Sequence, residues 1–284
     1  MILCLGKFDA LHRGHRALAE VAARRGAVAF LRFTGMARML GWDARRPLVA
    51  ASDRRRILAG WSGSPAEVSI DFAQIQPLDA TGFLRLVQQR FQATGLVVGD
   101  DFRGGRNRLS TAHDFATAAA GLGMSLDIVP AVSDGSGPVS STRVRAALAA
   151  GEVAAVAALL DRPQRLIGTV VRGDGRGAAI GIPTANLGEL RNQEPGVGVY
   201  AAWAVLDGLR LPAAVNIGRV PTVGPDRPLT VEAHLIGWQG DCYGRELGLD
   251  FVARLRPERR FPDFSKLVAQ IRDDVAQANA VLAG

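Results

Sequence analysis

The spacing of apolar residues changes near residue 165, and this change limits what the chain can fold into. Before it, short apolar runs such as 96–98 and 125–129 alternate with helical stripes such as 83–91. After it, apolar and polar residues alternate through the segments 168–171, 199–206, 209–217, 229–236 and 247–255. The first pattern predicts a parallel sheet with crossing helices, and the second predicts antiparallel strands. We therefore predict an α/β fold followed by an all-β fold.

The polar segment 161–165 lies between the two patterns and contains Pro163. Such segments are typical of domain boundaries, so we predict one domain at residues 1–160 and another at 166–284. The chain has 284 residues, 48% of them hydrophobic, which is enough for two modest cores. A final helix is predicted to pack on the second domain through Phe264, Leu267, Val268, Ile271 and Val275, with Arg272, Asp273 and Asp274 facing water.

The charge of the chain suits small anionic ligands. Its net charge is +7, and lysine occurs only at Lys7 and Lys266, so nearly all positive side chains are arginines. The planar guanidinium matches phosphate geometry better than an ammonium does. The alternative is that arginine replaces lysine generally and that runs such as 54–56 are solvated helix faces. Nucleic-acid binding is not expected, because aromatic residues make up only 6% and no stacking surface or recognition helix is visible.

The two cysteines, Cys4 and Cys242, are far apart and neither belongs to a CxxC pair. This predicts neither a disulfide framework nor a zinc site, and it fits a reducing compartment. No apolar stretch approaches the roughly 18–20 residues of a membrane span, and the run at 1–5 is far shorter than the apolar part of a signal peptide. We expect a cytoplasmic protein with no membrane partner.

A glycine- and histidine-containing motif directly follows the first apolar run, with the sequence Gly6-Lys7-Phe8-Asp9-Ala10-Leu11-His12-Arg13-Gly14-His15. Its end is predicted to open a helix, where free backbone N–H groups and the helix dipole favour an anion. His12 and His15 are close enough in sequence for both imidazoles to donate hydrogen bonds to one phosphate. The alternative is a pair of surface histidines in a turn. The motif predicts a polyphosphate site that includes Gly6, Phe8, Asp9 and Gly14.

Two further segments of the first half are candidates for phosphate contacts. Ligands of parallel sheets bind beyond the carboxyl ends of the strands, and Asp101 follows the predicted strand at 96–98. Ser141 and Thr142 can cap the next helix, with Arg143 on its first turn. This second group is a candidate phosphate clamp.

The second half contains a glycine-rich segment with Gly173, Gly175, Arg176 and Gly177. It matches neither the Walker A loop nor the GxGxxG motif, and the alternative is a flexible hairpin tip. The segment continues into Pro183-Thr184-Ala185-Asn186. The hydroxyl of Thr184 and the amide oxygen of Asn186 are hard ligands suited to the Mg²⁺ that accompanies ATP.

Glu232 is the candidate base of the second half. It stands between Val231 and Ala233 on a predicted strand, so its side chain points away from theirs and can face a cleft. There it could accept a proton from a substrate hydroxyl. The alternative is a solvent-exposed charge on an edge strand.

The motifs occur together in an order that resembles known enzymes. The histidine motif with the segment at 140–145 is similar to the nucleotidylyltransferases, and the segment Pro183-Thr184-Ala185-Asn186 is similar to the riboflavin kinases. Further matches at 198–201, 216–219, 231–235, 243–244 and 255–256 extend the resemblance over nearly the whole chain. The chain thus resembles the bacterial bifunctional riboflavin kinase/FMN adenylyltransferases.

The resemblance implies a fold and two reactions. The first domain would be a Rossmann-like nucleotidylyltransferase domain with a parallel sheet, and the second a small riboflavin-kinase-type β-barrel with a terminal helix. The second domain would convert riboflavin and ATP to FMN with Mg²⁺. The first would adenylylate FMN with a second ATP, giving FAD and pyrophosphate. Two alternatives remain open: a kinase whose first domain is degraded, and a flavin-binding regulatory protein without turnover.

The resemblance also implies roles for individual residues. His12 and His15 would stabilise the α-phosphate region of ATP, and the segment at 141–143 would hold the β- and γ-phosphates. Thr184 and Asn186 would hold Mg²⁺, and Glu232 would accept the proton of the riboflavin 5′-hydroxyl. Arg256 would contact the flavin. Differences from the family pattern occur at Ala10, at Gly104 and in the segment 30–40 of the first domain.

Overall fold

The computed structural model describes residues 1–39, 41, 45–173, 175, 177, 180–219 and 229–284, which form two compact units. The first unit comprises Met1–Arg46 and Ala51–Ser141, and the second comprises Pro47–Ala50 and Thr142–Gly284. This division is based on spatial contacts and places residues 142–160 in the second unit, whereas the boundary at 161–165 is based on polarity along the chain. The domain limits 1–160 and 166–284 stay a prediction.

The first unit is an α/β structure, as predicted. Its strands are β1 (Ile2–Leu5), β2 (Val28–Thr34), β3 (Ala66–Asp71), β4 (Gly95–Gly99), β5 (Arg103–Gly104), β6 (Ser110–Thr111), β7 (Ser125–Val129), β8 (Ser133–Asp134) and β9 (Gly137–Pro138). Its helices are α1 (Arg13–Ala23), α2 (Met36–Met39), α3 (Ala51–Ala59), α4 (Phe72–Ile75), α5 (Ala80–Phe91) and α6 (Ala112–Ala120). Five strands form one parallel sheet in the order β3-β2-β1-β4-β7. The pairs β5-β6 and β8-β9 form small antiparallel sheets.

The order of the parallel strands locates a crevice. The sheet grows from β1 in one direction to β2 and β3, and in the other direction to β4 and β7. Open α/β sheets bind ligands beyond the carboxyl ends of the strands at the point where the order reverses, here between β1 and β4. The histidine motif follows β1, and Asp101 follows β4. Both segments therefore lie at the edge where such a sheet binds its ligand.

Two helix starts in the first unit use acidic side chains in different ways. Helix α3 begins at Ala51, so Asp53 lies inside its first turn. There its carboxylate accepts a hydrogen bond from Arg56 at 2.6 Å, so it is satisfied without capping the helix. Helix α6 was not predicted, although Thr111 and Asp114 form a capping box at its start.

The second unit contains the predicted barrel. Its helices are α7 (Ser141–Ala149), α8 (Val153–Leu160) and α9 (Phe264–Ala283), and its strands are β10 (Gln164–Val171), β11 (Ala185–Gly188), β12 (Gly198–Leu206), β13 (Leu209–Arg219), β14 (Leu229–Leu235) and β15 (Glu246–Arg256). The strands close in the order β10-β11-β14-β13-β12-β15, and all of their pairs are antiparallel. Alternate residues of each strand fill the interior, among them Val170, Leu187, Val215, Val231, Leu249 and Phe251.

The predicted apolar face of α9 is partly wrong. Phe264 is 66% exposed, whereas Asp274, expected to face water, is 4% exposed. Asp274 is tolerated because Arg256 donates to both carboxylate oxygens, at 2.8 and 2.7 Å. Val275 of the predicted face does pack on the barrel, together with Ala278, where the helix meets Ala201 and Ala214. Although α9 has 20 residues, neither it nor another helix in the described ranges is long and apolar enough to cross a membrane.

Candidate active sites

The two motif histidines lie together at the start of α1. His12 is the N-cap of this helix, with extended backbone dihedral angles, and it is 7% exposed. Its ring stacks on that of His15, with 3.7 Å between centroids and 17° between planes. The two imidazoles thus stack on each other at a helix N-terminus, a place that favours an anion.

The ring of Phe8 packs against this histidine pair. Its ring is fully buried, stacks on Phe30 at 4.2 Å and meets the edge of His15 at 5.0 Å. The backbone of Phe8 and of Leu11 is left-handed, with φ of 47° and 49°. Such conformations cost on the order of 1–3 kcal/mol each in residues other than glycine and persist only where the surroundings impose them.

The glycines of the motif leave room for rings. A Cβ atom at Gly6 would lie 3.0 Å from the Phe8 ring, and one at Gly14 would lie 3.1 Å from Cε1 of His12. The sequence predicted that both glycines belong to a polyphosphate site. The structure adds that they accommodate the aromatic side chains of their own motif.

The remaining phosphate candidates of the first half are placed as follows. Asp9 is half-buried in the loop between β1 and α1, and Asp101 is exposed in the turn after β4. The carbonyl oxygen of Val139 would lie 3.9 Å from a Cβ at Gly14, so the chain shortly before Ser141 passes beside the histidine loop. Ser141, Thr142 and Arg143 form the first turn of α7. Their contacts with ATP stay a prediction.

The positive charges near this loop include both Lys7 and Arg108. Burial lowers the pKa of the Lys7 ammonium below its ordinary value, the charge of Arg108 lowers this pKa further, and Asp9 opposes the shift. Lys7 belongs to the histidine motif, so an anion bound there would relieve the repulsion between these two cations.

The second site is built by strand register. Asn186 on β11 is directly opposite Glu232 on β14, and Glu232 is directly opposite Asn216 on β13. Directly paired residues of antiparallel strands project to the same side, so these three side chains form a row. Val231 and Ala233, the neighbours of Glu232, point into the barrel core, and the row therefore lies on the outer wall.

This row lines a cavity of about 380 Å³ together with the metal and phosphate candidates. Its walls include Thr184, Gly173, Gly175 and Gly177. Glu258 and Arg172 also face it, although neither was predicted. The structure thus brings the predicted base, the two predicted Mg²⁺ ligands and the described glycines of the loop to one place. Arg176 lies outside the described residues.

Arg256 is placed differently from these residues. It lies at the end of β15, where its guanidinium forms the ion pair with Asp274 of α9. The contact of Arg256 with flavin stays a prediction.

A second cavity, also of about 380 Å³, adjoins the first at Thr184, which lines both. Its walls are mainly apolar and include Trp238, Cys242 and Tyr243. Burial raises the pKa of the Cys242 thiol, so the thiol is uncharged at neutral pH. The guanidinium carbon of Arg172 lies 5.0 Å from the centre of the Tyr243 ring. Tyr243 lies in a segment that matched the family pattern, but no sequence signal gave it a role.

Comparison with known proteins matches one family to the half of the chain with the histidine motif and another family to the half with the glycine-rich segment. A family described as FAD synthetase matches residues 1–143, and a family described as riboflavin kinase matches residues 160–282. The bifunctional riboflavin kinase/FMN adenylyltransferase of Pseudomonas fluorescens is 34% identical over 99% of this chain and 93% of its own length. The chain belongs to this bifunctional family.

Further relatives extend the family match. FAD synthetase 1 of Arabidopsis thaliana, a chloroplast protein, is 36% identical over 76% of this chain and 67% of its own length. A crystal structure described as a macrolide-efflux protein from Streptococcus pneumoniae is 28% identical, with a TM-score of 0.88 over 98% of this chain and 93% of that one. That structure shares the fold of this bifunctional family, and its description applies to that protein alone.

One departure from the pattern of the bifunctional family has a local explanation. At Gly104, one of the positions that differ from this pattern, a Cβ would lie 2.9 Å from Phe102 and 3.0 Å from Phe115. These two rings already meet edge to face at 5.2 Å and fill the space.

The other two departures from the pattern lie in the histidine loop and after it. Ala10 is fully buried in the histidine loop. In the segment 30–40, β2 extends to Thr34 and α2 follows, while Leu40 lies outside the described residues.

Proposed function

We infer that this protein phosphorylates riboflavin to FMN with ATP and Mg²⁺, and adenylylates FMN with a second ATP to give FAD and pyrophosphate. Membership of the bifunctional family supports both reactions. For the kinase, the supporting observation is the cross-strand row of Asn186, Glu232 and Asn216 beside Thr184 in one cavity. For the adenylyltransferase, it is the stacked histidine pair at a helix N-terminus.

The kinase reaction transfers the γ-phosphoryl group of ATP to the 5′-hydroxyl of riboflavin. We propose that Glu232 accepts the proton of this hydroxyl as the new O–P bond forms and ADP leaves. The hydroxyl of Thr184 and the amide oxygen of Asn186 fit Mg²⁺, since both are hard oxygen donors on one cavity wall. Bound there, the ion would neutralise charge on the phosphates.

The two adjoining cavities suit the two substrates of this reaction. Glu232 and Asn216 face one cavity, which therefore receives the hydroxyl-bearing chain of riboflavin. Trp238 and Tyr243 face the other, which is more apolar and suits the flat adenine base. Because Thr184 lines both, the phosphates of ATP would pass across it. Arg172 would add positive charge beside them.

In the adenylyltransferase reaction, a phosphate oxygen of FMN attacks the α-phosphorus of ATP and pyrophosphate leaves. We propose that His12 and His15 donate hydrogen bonds to oxygens of the α-phosphate as negative charge increases there. The N-terminus of α1 adds backbone N–H groups and a favourable dipole.

Separating the flavin products tests both reactions. The purified protein is incubated with riboflavin, ATP and Mg²⁺, and we expect FMN to form first and FAD to follow. FMN that accumulates without FAD, together with no pyrophosphate from supplied FMN and ATP, would support the kinase-only alternative. Tight flavin binding without ATP consumption would support a regulatory protein instead.

The Mg²⁺ ligands can be tested through the metal requirement. Asn186→Leu removes one oxygen ligand, so FMN formation should require about tenfold more free Mg²⁺ for half its maximal rate. The measurement is a Mg²⁺ titration at fixed ATP. Asn216→Leu is the matched control, because Asn216 lies on the opposite side of Glu232 and holds no ion in this proposal. An equal shift in both variants contradicts the assignment.

Gly173 can be tested by adding a single methyl group. A Cβ at this position would overlap the side-chain amide of Asn186 and lie 2.8 Å from its Oδ1. Overpacking of this kind costs roughly 1–3 kcal/mol, so Gly173→Ala should raise the KM for ATP in FMN formation by about tenfold or more. Gly135→Ala, where the added methyl meets no atom within 4 Å, should leave this KM unchanged. An unchanged KM in Gly173→Ala would mean that Asn186 can move without loss.

The expected partners are small molecules. We propose that riboflavin, FMN and ATP are the ligands, that neither nucleic acid nor a membrane is a partner, and that the protein is cytoplasmic. Two buried cysteines without disulfides support the last point.

A further inference from the structure

A partly buried ion pair contacts the histidine loop. Arg54, in α3, has a side chain that is only 7% exposed. Its Nε donates to the two carboxylate oxygens of Glu67 on β3 at 2.8 and 3.0 Å, and its Nη2 donates to one of them at 2.6 Å. Its Nη1 donates to the carbonyl oxygen of Phe8 at 2.8 Å. A single guanidinium therefore connects a helix, a strand and the loop that carries the histidines.

This arrangement fixes the direction of the third contact. A guanidinium is planar, and Glu67 binds one edge of it, so the remaining N–H groups of Arg54 point in a fixed direction.

The ion pair is not by itself evidence of a stabilising role. Oε1 of Glu67 also lies 3.8 Å from Nε of a second arginine, Arg32. Replacing a buried ion pair by apolar residues is often neutral or stabilising, so such a pair is weak evidence of a stabilising role.

The contact reaches the histidines through Phe8. The peptide group is planar and trans, so holding the Phe8 oxygen also sets the direction of the Asp9 N–H, which points the opposite way. The backbone of Phe8 has a positive φ, which the surroundings must impose. The Phe8 ring meets the edge of His15, and His15 stacks on His12. A rotation of this peptide would therefore move both the loop N–H and the imidazole pair.

We propose that Arg54, held by Glu67, is a positioning residue for FMN adenylylation: it fixes the Phe8–Asp9 peptide and, through the Phe8 ring, the stacked pair of His12 and His15. Arg54 touches no substrate in this proposal. The kinetic part rests on the proposed adenylyltransferase function, whereas the structural part does not.

The test uses the full-length protein with Arg54→Met, Glu67→Gln and Arg54→Lys. We expect Arg54→Met to lower kcat of FAD formation from FMN and ATP by about 10²-fold, the loss typical of a 1 Å misplacement. Riboflavin phosphorylation in the same samples serves as the internal control and should remain unchanged. Arg54→Lys should lose nearly as much kcat as Arg54→Met. The lysine ammonium is a single point charge, so it cannot bind both carboxylate oxygens of Glu67 and also donate to the Phe8 carbonyl. Glu67→Gln, which keeps the shape of the pair, should give an intermediate loss.

A spectroscopic measurement separates this proposal from a purely stabilising role and from failure of the proposed function. Ring currents from stacking shift the Hε1 proton signals of His12 and His15 in the ligand-free protein, where no turnover is needed. These signals should move in Arg54→Met and Glu67→Gln, while those of His113 and His234 should not. Arg56→Met is the matched control, since Arg56 lies on the same helix and pairs with Asp53 on that helix. Unmoved His12 and His15 signals in Glu67→Gln, or the same kcat loss in Arg56→Met, would overturn the proposal.

Discussion

Replacing Glu232 by glutamine is expected to slow FMN formation by about 10²–10⁴-fold, the usual contribution of a positioned general base. The amide keeps the size of the carboxylate and its place between Asn186 and Asn216, but it cannot accept the proton of the riboflavin hydroxyl. The measurement is kcat for FMN formation at saturating riboflavin, ATP and Mg²⁺. The KM values should change little, because binding and proton transfer are separate contributions.

The cavity offers a matched control for this substitution. Glu258 is a second carboxylate on the same wall, and it is not assigned a proton-transfer role. Glu258→Gln should therefore retain a kcat within about one order of magnitude of the unmodified enzyme. FAD formation from supplied FMN should be normal in both variants. Near-normal FMN formation by Glu232→Gln would rule out the role of base.

Replacing His15 by alanine is expected to remove FAD formation while leaving FMN formation intact. The substitution deletes a donor to the α-phosphate and also the stacking partner of His12. Loss of one such donor costs about 10²–10³ in kcat. The measurement is pyrophosphate release from FMN and ATP, with riboflavin phosphorylation measured in the same preparation.

His113→Ala is the control for the histidine substitution. His113 is exposed on α6, so its removal should affect neither reaction. Equal loss of both activities in His15→Ala would mean that the two sites are not independent. That result would also remove the basis for using one reaction as an internal control for the other.

The sequence predicted most strands of the two sheets, because a strand can be recognised from the spacing of apolar residues within a short segment. Strands such as β4 are apolar throughout, as expected where both faces of a parallel sheet are covered. Strand β14 alternates between half-buried and buried residues from Thr230 to Leu235, as expected where one face is core. Strand β11 was missed because it has only four residues and begins within a motif that looks like a loop.

Cross-strand register was not available from the sequence. Asn216 lies far from Asn186 along the chain, and only the pairing of both strands with β14 places their side chains on either side of Glu232. The same limit explains why the burial of Asp274 was not predicted, because the helical stripe does not show that Arg256 of the barrel pairs with it. That guanidinium neutralises Asp274 and allows this charged residue to be buried.

The outward position of Glu232 has a consequence for how this enzyme can change. The residues before and after it, Val231 and Ala233, belong to the apolar interior. In the proposed mechanism, catalysis and stability therefore depend on alternate positions of one strand. Changes at the outer positions can retune the reaction while the melting temperature stays nearly constant. Changes at the inner positions would alter the melting temperature while leaving the reaction nearly unchanged. Directed evolution of a new acceptor specificity could therefore proceed along this wall without first stabilising the scaffold.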